Sequence, residues 1–299
     1  MRGFRLRCIF LIFPAVLLIF RGNLSAGWQL QKPSLPDLMA VWGSPEEKVF
    51  AVGKIGTILC YSGKEWAGMP HGAASDLWGV WGSSETNVFA VGPESTILHF
   101  NGKNWTAMPC GGGHLFLGVW GASPEDVFAV GAGGVILHYD GTTWTPMAGN
   151  TTSNLWNVWG SSPTNVFAVG DDGTIVRYDG KEWSRMASGV NAQILGVWGS
   201  SPTDVFAVGT KGTALHYDGS NWSSMHVPFS SDIWSVWGSS SSNVFAVGTG
   251  GLIIHYDGAK WTDMQSGSTV DLYAIWGSSA GSVFAVGAQS TILHYSPMP

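Results

Sequence analysis

One tripeptide, Val/Ile-Trp-Gly, fixes what this chain can fold into. Its Trp stands at positions 42, 81, 120, 159, 198, 237 and 276, every interval being 39 residues. A period this strict means that a single structural unit has been copied and must pack on copies of itself. After each Trp-Gly comes Val-Phe-Ala-Val-Gly, from Val49–Gly53 in the first copy to Val283–Gly287 in the last. A segment such as Ile-Leu-His-Tyr-Asp-Gly follows, and then a Trp with Met three residues beyond it. Each unit therefore holds four short apolar runs separated by Gly, Ser, Asn, Asp and Pro, the pattern of strands joined by tight turns. Four strands in a unit of this length make one blade of a β-propeller, so seven copies predict an all-β, seven-bladed propeller.

Crowding assigns the order of the strands. Two residues before the motif Trp stand Ala40, Gly79, Gly118, Asn157, Gly196, Ser235 and Ala274. They are small almost throughout, as needed where seven strands converge on one axis. This run is strand A, innermost; Val-Phe-Ala-Val-Gly is B, the His-Tyr run is C, and the Trp-x-x-Met run is D, outermost. Trp66, Trp105, Trp144, Trp183, Trp222 and Trp261 mark six D strands, whereas the seventh unit stops after strand C at Tyr295. Trp28 lies 14 residues before Trp42, against 15 for the other pairs. The segment around Trp28–Gln31 is therefore expected to supply the missing outer strand and close the ring.

Residues 1–26 read as a secretory signal peptide. Arg2, Arg5 and Arg7 precede an apolar run from Cys8 to Phe20, and Leu24-Ser25-Ala26 offers a small-residue cleavage site. The apolar run is too short for a membrane span, so no membrane insertion is expected after cleavage, and the protein is expected to be secreted, periplasmic or on the cell surface. The propeller domain then covers residues 27–299. Without residues 1–26 the chain keeps 10 basic and 20 acidic residues, a net charge near −10. Such a field repels phosphate backbones and anionic lipid, which argues against nucleic acid and membrane surfaces as partners. Cys60 and Cys110 are the thiols that remain, and no disulfide framework is implied.

The stretch Val166–Trp183, Val-Phe-Ala-Val-Gly-Asp-Asp-Gly-Thr-Ile-Val-Arg-Tyr-Asp-Gly-Lys-Glu-Trp, resembles repeats of bacterial secreted propellers. More distantly it resembles the photosystem II assembly factor and sialidase-type Asp-box propellers. The segment His138–Trp144 keeps the Asp, Gly and Trp of an Asp box as Asp140, Gly141 and Trp144, but it is one residue short and lacks the Ser. A sialidase activity would imply an arginine cluster for the substrate carboxylate. Past residue 26 the chain has only Arg177 and Arg185, on strands C and D of one blade. That activity is therefore rejected. The Gly-His and Trp-Asp dipeptides of WD repeats are also missing from the expected places.

Several columns of equivalent residues are candidate sites. Cys60, His99, His138, Arg177, His216, His255 and His294 form a polar column on strand C. Blades splay outward, which separates such residues too far to share a metal, so the histidines are expected to be structural, bonded between blades, and no metal or cofactor is called for. Five residues before the motif Trp stand Asp37, Asp76, Leu115, Asn154, Gln193, Asp232 and Asp271. At the start of strand A, these side chains either ring one mouth of the central channel as ligand-binding groups or bond their own turns. Three residues before the motif Trp stand Met39, Trp78, Leu117, Trp156, Leu195, Trp234 and Tyr273, expected to pack between blades. The Asp-Gly pairs at Asp140, Asp179, Asp218 and Asp257 read as C–D hairpin turns, and Asp171-Asp172-Gly173 as a polar turn.

Compared across copies, the D–A and B–C loops vary most, and both emerge on one face. The D–A loops carry His71, Cys110, His114, Asn150, Val190, His226 and Phe229, of which His71, His114, His226 and Phe229 join the candidate ligand-binding set. A constant scaffold with one changeable face suits an exported, non-catalytic module that binds a protein partner or a cell-surface glycan. The competing expectation is a hydrolase or lyase at the acidic channel mouth, using Asp76 or Asp232 with a nearby His.

Overall fold

A computed structural model of the chain describes residues 27–31, 35–44, 48–72 and 74–296. The proposed signal segment lies outside these residues. The described residues form seven four-stranded antiparallel sheets, six of them in the chain order A-B-C-D. In the fourth blade these strands are Leu155–Ser162, Asn165–Gly170, Ile175–Tyr178 and Trp183–Met186. Among the described residues no helix is long and apolar enough to cross a membrane.

The seventh sheet closes the ring as the spacing of Trp28 predicts. Its outer strand, Gly27–Gln31, pairs with Ile292–Ser296, setting Trp28 opposite Tyr295. Trp66 stands opposite Tyr61 in the same way in the first blade. Trp28 and Tyr295 pack with ring centroids 5.5 Å apart. The closing strand also reaches sideways, since Trp66 Nε1 donates to Gln31 Oε1 at 2.8 Å.

Strand B explains why its sequence hardly varies. Its residues are buried on both faces: Val49 is 2% exposed, and Phe50, Ala51 and Val52 are fully covered. Phe50 and Val52 belong to the apolar layer shared with the second blade, whereas Val49 and Ala51 belong to the layer shared with the seventh. The large Phe50 shares its layer with the small Ala90 of the next blade's strand B. Alternating Phe and Ala thus lets closely similar sheets nest around the ring. In five blades the outer Trp adds an edge-to-face contact to the Phe of the blade before it. Phe50–Trp105 meets at 80° and 6.4 Å, and Phe128–Trp183 at 82° and 5.9 Å.

The Trp-Gly dipeptide is an interlock between neighbours. The indole of Trp42 lies against Gly82 of the second blade, that of Trp81 against Gly121, and so on to Trp276 against Gly43. A Cβ on any of these glycines would lie 2.5–2.7 Å from the indole carbons. Glycine is therefore fixed here by close approach.

Candidate binding site at the channel mouth

Strand A is innermost, as crowding predicts, and the seven copies enclose a central cavity of about 430 Å³. In the tier of small residues the strands nearly touch. A Cβ on Gly118 would sit 3.1 Å from Asn157 Cα, and one on Gly196 would sit 3.0 Å from Ser235 Cα.

The column three before the motif Trp departs from expectation. Met39, Trp78, Leu117, Trp156, Leu195, Trp234 and Tyr273 all line the channel. The cause is a bulge. In six blades the A–B pairing slips at this residue, as between Leu38 and Ala40, so two-residue alternation fails there. The residue before it, Leu38 in the first blade and Leu155 in the fourth, takes the interior place and is fully buried. The result is a channel lined in part by four aromatic rings. Trp234 and Tyr273 stand in adjacent blades, 5.9 Å apart and at 88°.

Around this lining runs a ring of latches. Asp76 Oδ1 accepts the Ile55 N–H at 2.9 Å, Asn154 Oδ1 that of Gly133 at 2.9 Å, and Asp232 Oδ1 that of Lys211 at 2.8 Å. Asp271 Oδ1 takes the Gly250 N–H at 2.8 Å, and Asp37 Oδ1 takes the Gln289 N–H at 2.8 Å across the ring closure. Through Oδ1 each of these side chains secures the B–C turn of the preceding blade. The donor residue sits at positive φ wherever it is not Gly, as at Ile55 (55°), Lys211 (58°) and Gln289 (53°).

Two positions at this mouth escaped sequence reasoning. Lys54 lines the channel and pairs with Asp37 at 2.8 Å. The ammonium group, with help from the Gln289 N–H, holds the Asp37 carboxyl below the usual carboxylate range, and Asp37 in turn raises Lys54. Asp171, in the turn that the sequence marks only as polar, accepts from Trp156 Nε1 at 2.6 Å and Gln193 Nε2 at 3.0 Å on Oδ1. Its Oδ2 takes Asn154 Nδ2 at 2.9 Å. Gln193 thus joins the latch ring through a side chain and not a backbone amide. The unusual acid pair in that one turn, where other copies have Lys54, Ala132 or Thr249, was the available signal.

The electrostatics of this face are one-sided. Among the described residues its loops and turns carry the carboxylates of Asp37, Asp76, Glu94, Asp171, Asp172, Asp232 and Asp271 against the ammonium groups of Lys54 and Lys211. Tyr273 registers this field. Burial raises its phenol above the ordinary value, and the charges of Asp271 and Asp37 raise it further, with Lys54 opposing.

The loop candidates divide. Phe229 is half-buried, packed against the apolar layer between the fifth and sixth blades. His71 Nε2 bonds the Gly56 carbonyl of its own blade's turn. The His114 backbone is tied to Ser95, and its ring lies 5.6 Å from Phe116. His226 is exposed.

The strand C column is structural by geometry, but its bonds run within each blade and not between blades. His99 meets Asn87 Oδ1 at 2.6 Å, His138 meets Asp126 at 2.8 Å, His216 meets Asp204 at 2.7 Å and His255 meets Asn243 at 2.6 Å. Arg177 keeps the pattern through Asn165 at 2.7 Å and covers Phe167 at 5.5 Å. The register sets each imidazole opposite the strand B Phe, as in Phe89 opposite His99, where the rings lie 4.6 Å apart and tilted by 33°, and the far nitrogens reach the first residue of strand B. No group of three His, Cys, Asp or Glu side chains suited to a metal occurs among the described residues.

No protein-family model matches the chain, and no curated protein matches it by sequence. Solved structures do match in fold. YCF48 from Cyanidioschyzon merolae superposes with a TM-score of 0.76 at 17% identity, covering 91% of this chain and 99% of that one. A structure of YCF48 bound to D1 peptide gives 0.76 at 15% identity, over 95% and 100% of the two chains. The WD40 β-propeller domain of Doa1 gives 0.78 at 13% identity, over 91% and 97%. The propeller fold implied by the sequence resemblance is thus the fold found.

Proposed function

We propose that this chain is an exported, non-catalytic binding module that recognises a protein partner on the face formed by its D–A loops and B–C turns, around the channel mouth. Residues 1–26 act as the export signal and residues 27–299 as the recognition domain. The observation that carries this reading is the aromatic lining that the strand A bulge turns into the channel on the face where the copies differ. Apolar rings presented by a rigid scaffold are what a protein-recognition surface is built on. A similarly folded propeller, YCF48, has been captured with a peptide bound, which supports the reading by analogy of fold.

The hydrolase alternative finds less support. Oδ1 of Asp76 and of Asp232 is occupied by a backbone latch. No His bonds either carboxylate among the described residues, whereas a general acid–base pair needs such contact.

The test is affinity capture from the exporting cell's envelope and secreted fractions, with wild type and a Trp78→Ala/Trp234→Ala variant as bait, beside a glycan array. A protein retained by wild type and lost by a folded variant is the expected result. Binding to one sugar class in place of any protein overturns it.

A further inference from the structure

The chemistry of the mouth narrows the partner further, and this step rests on the protein-binding reading above. The channel combines aromatic rings with an acidic rim, and its volume admits a side chain or a short extended segment but not a folded surface. Asp76, Asp232 and Asp271 each commit Oδ1 to a latch and leave Oδ2 without a protein partner among the described residues. Among the described residues the one ammonium group lining the channel, on Lys54, is neutralised by Asp37.

A further feature on the rim favours a peptide over a sugar. Ile55 is 71% exposed although it is a large aliphatic, and it is β-branched at φ 55°. The equivalent positions carry Glu94, Gly133, Asp172, Lys211, Gly250 and Gln289. A strained, exposed isoleucine beside an aromatic channel offers an apolar step for the flank of a peptide.

We infer that the channel mouth takes the lysine or arginine side chain of an extended segment of a partner protein, with the cation held over the Trp and Tyr rings inside the carboxylate rim and the flanking residue resting on Ile55. Ring faces attract cations through their quadrupole, and the carboxylates add a field that a neutral or anionic side chain cannot use.

The experiment uses the full chain and immobilised decapeptides that are identical except for a central Lys, Arg, norleucine or Glu, with Leu beside it. Beads carrying chitotetraose or cellotetraose run in parallel. Wild type should retain the Lys and Arg peptides about tenfold better than the norleucine peptide, with the preference falling as salt is raised. Two variants check the site. Trp234→Leu removes a ring. The triple variant Asp76→Asn/Asp232→Asn/Asp271→Asn removes charge while keeping an Oδ1 acceptor in each latch, as Asn154 does naturally. With unchanged melting, the triple variant should lose the Lys and Arg preference. Equal retention of norleucine and Lys peptides overturns the cationic assignment and leaves peptide binding standing. Retention of the sugar beads and of no peptide overturns both.

Discussion

Trp42 and Gly82 belong to adjacent blades and fit each other: the indole fills the space that a Cβ on Gly82 would need, 2.6 Å from its nearest ring carbon. The same Cβ would also meet the Asn87 carbonyl oxygen at 2.8 Å, a backbone atom that cannot swing away. Gly82→Ala is therefore expected to lower stability by about 1–3 kcal/mol through overpacking. Urea unfolding should show an earlier midpoint with an unchanged slope. An unaltered midpoint would mean that the indole can move.

The latch ring predicts a contrast between two substitutions at one site. Asp76→Asn keeps an acceptor for the Ile55 N–H and should be nearly neutral, since Asn154 already performs this task between the third and fourth blades. Asp76→Ala leaves that N–H to water and should cost about 1 kcal/mol. Amide exchange at Ile55 separates the two, with faster exchange expected only in the Ala variant.

How far all this was legible in the sequence depends on the kind of residue. Blade number, strand order and the role of Trp28 follow from period and crowding, which depend only on backbone spacing. The channel lining did not follow, because residues such as Trp156 and Tyr273 lie at a bulge, and period-2 alternation predicts the wrong side for any residue there. The latches were half legible. Asp37 and Asp232 stand at the mouth as the start of strand A requires, but their partners belong to another blade, and a single repeat contains no trace of its neighbour. Asp171 stayed hidden for the same reason: its three donors come from Asn154, Trp156 and Gln193, and only the ring brings Gln193 to it.

The strand C histidines set a pH dependence. Burial holds the imidazoles of His99, His255 and His294 below their ordinary value. A folded-state value below the unfolded one means that the unfolded chain binds more protons. Their contribution is therefore complete above about pH 6.5 and is lost as pH falls from there through the folded values. The melting temperature should fall between pH 7 and pH 5, and His294→Gln should flatten part of that fall. A profile that is level across this range in wild type would contradict the assignment.

Asp37 extends the dependence to lower pH. The Lys54 ammonium and the Gln289 N–H hold its carboxyl below the usual range, so its contribution is present above the unfolded carboxylate value and lost as pH falls through the folded one. This latch joins the last blade to the first. Acid should therefore loosen the closure, seen as reduced protection of the Gln289 amide, relative to its intrinsic exchange rate, below about pH 4 in wild type. In Asp37→Asn that protection should no longer fall over the same range.

Ile55 sets stability against recognition. A β-branched residue at φ 55° carries a steric penalty of about 1–2 kcal/mol, and glycine, which Gly133 and Gly250 show to be compatible with the same turn, carries none. Glycine's greater freedom in the unfolded chain offsets part of this gain. Ile55→Gly should therefore raise stability by about 0.5–1 kcal/mol in urea unfolding, while the loss of the exposed aliphatic step weakens retention of Leu-flanked Lys peptides. A variant that is more stable and binds as well as wild type would show that the strain at Ile55 serves no contact at the mouth. One that is less stable would show that the neighbouring blade, through Asp76, shapes this turn around isoleucine itself.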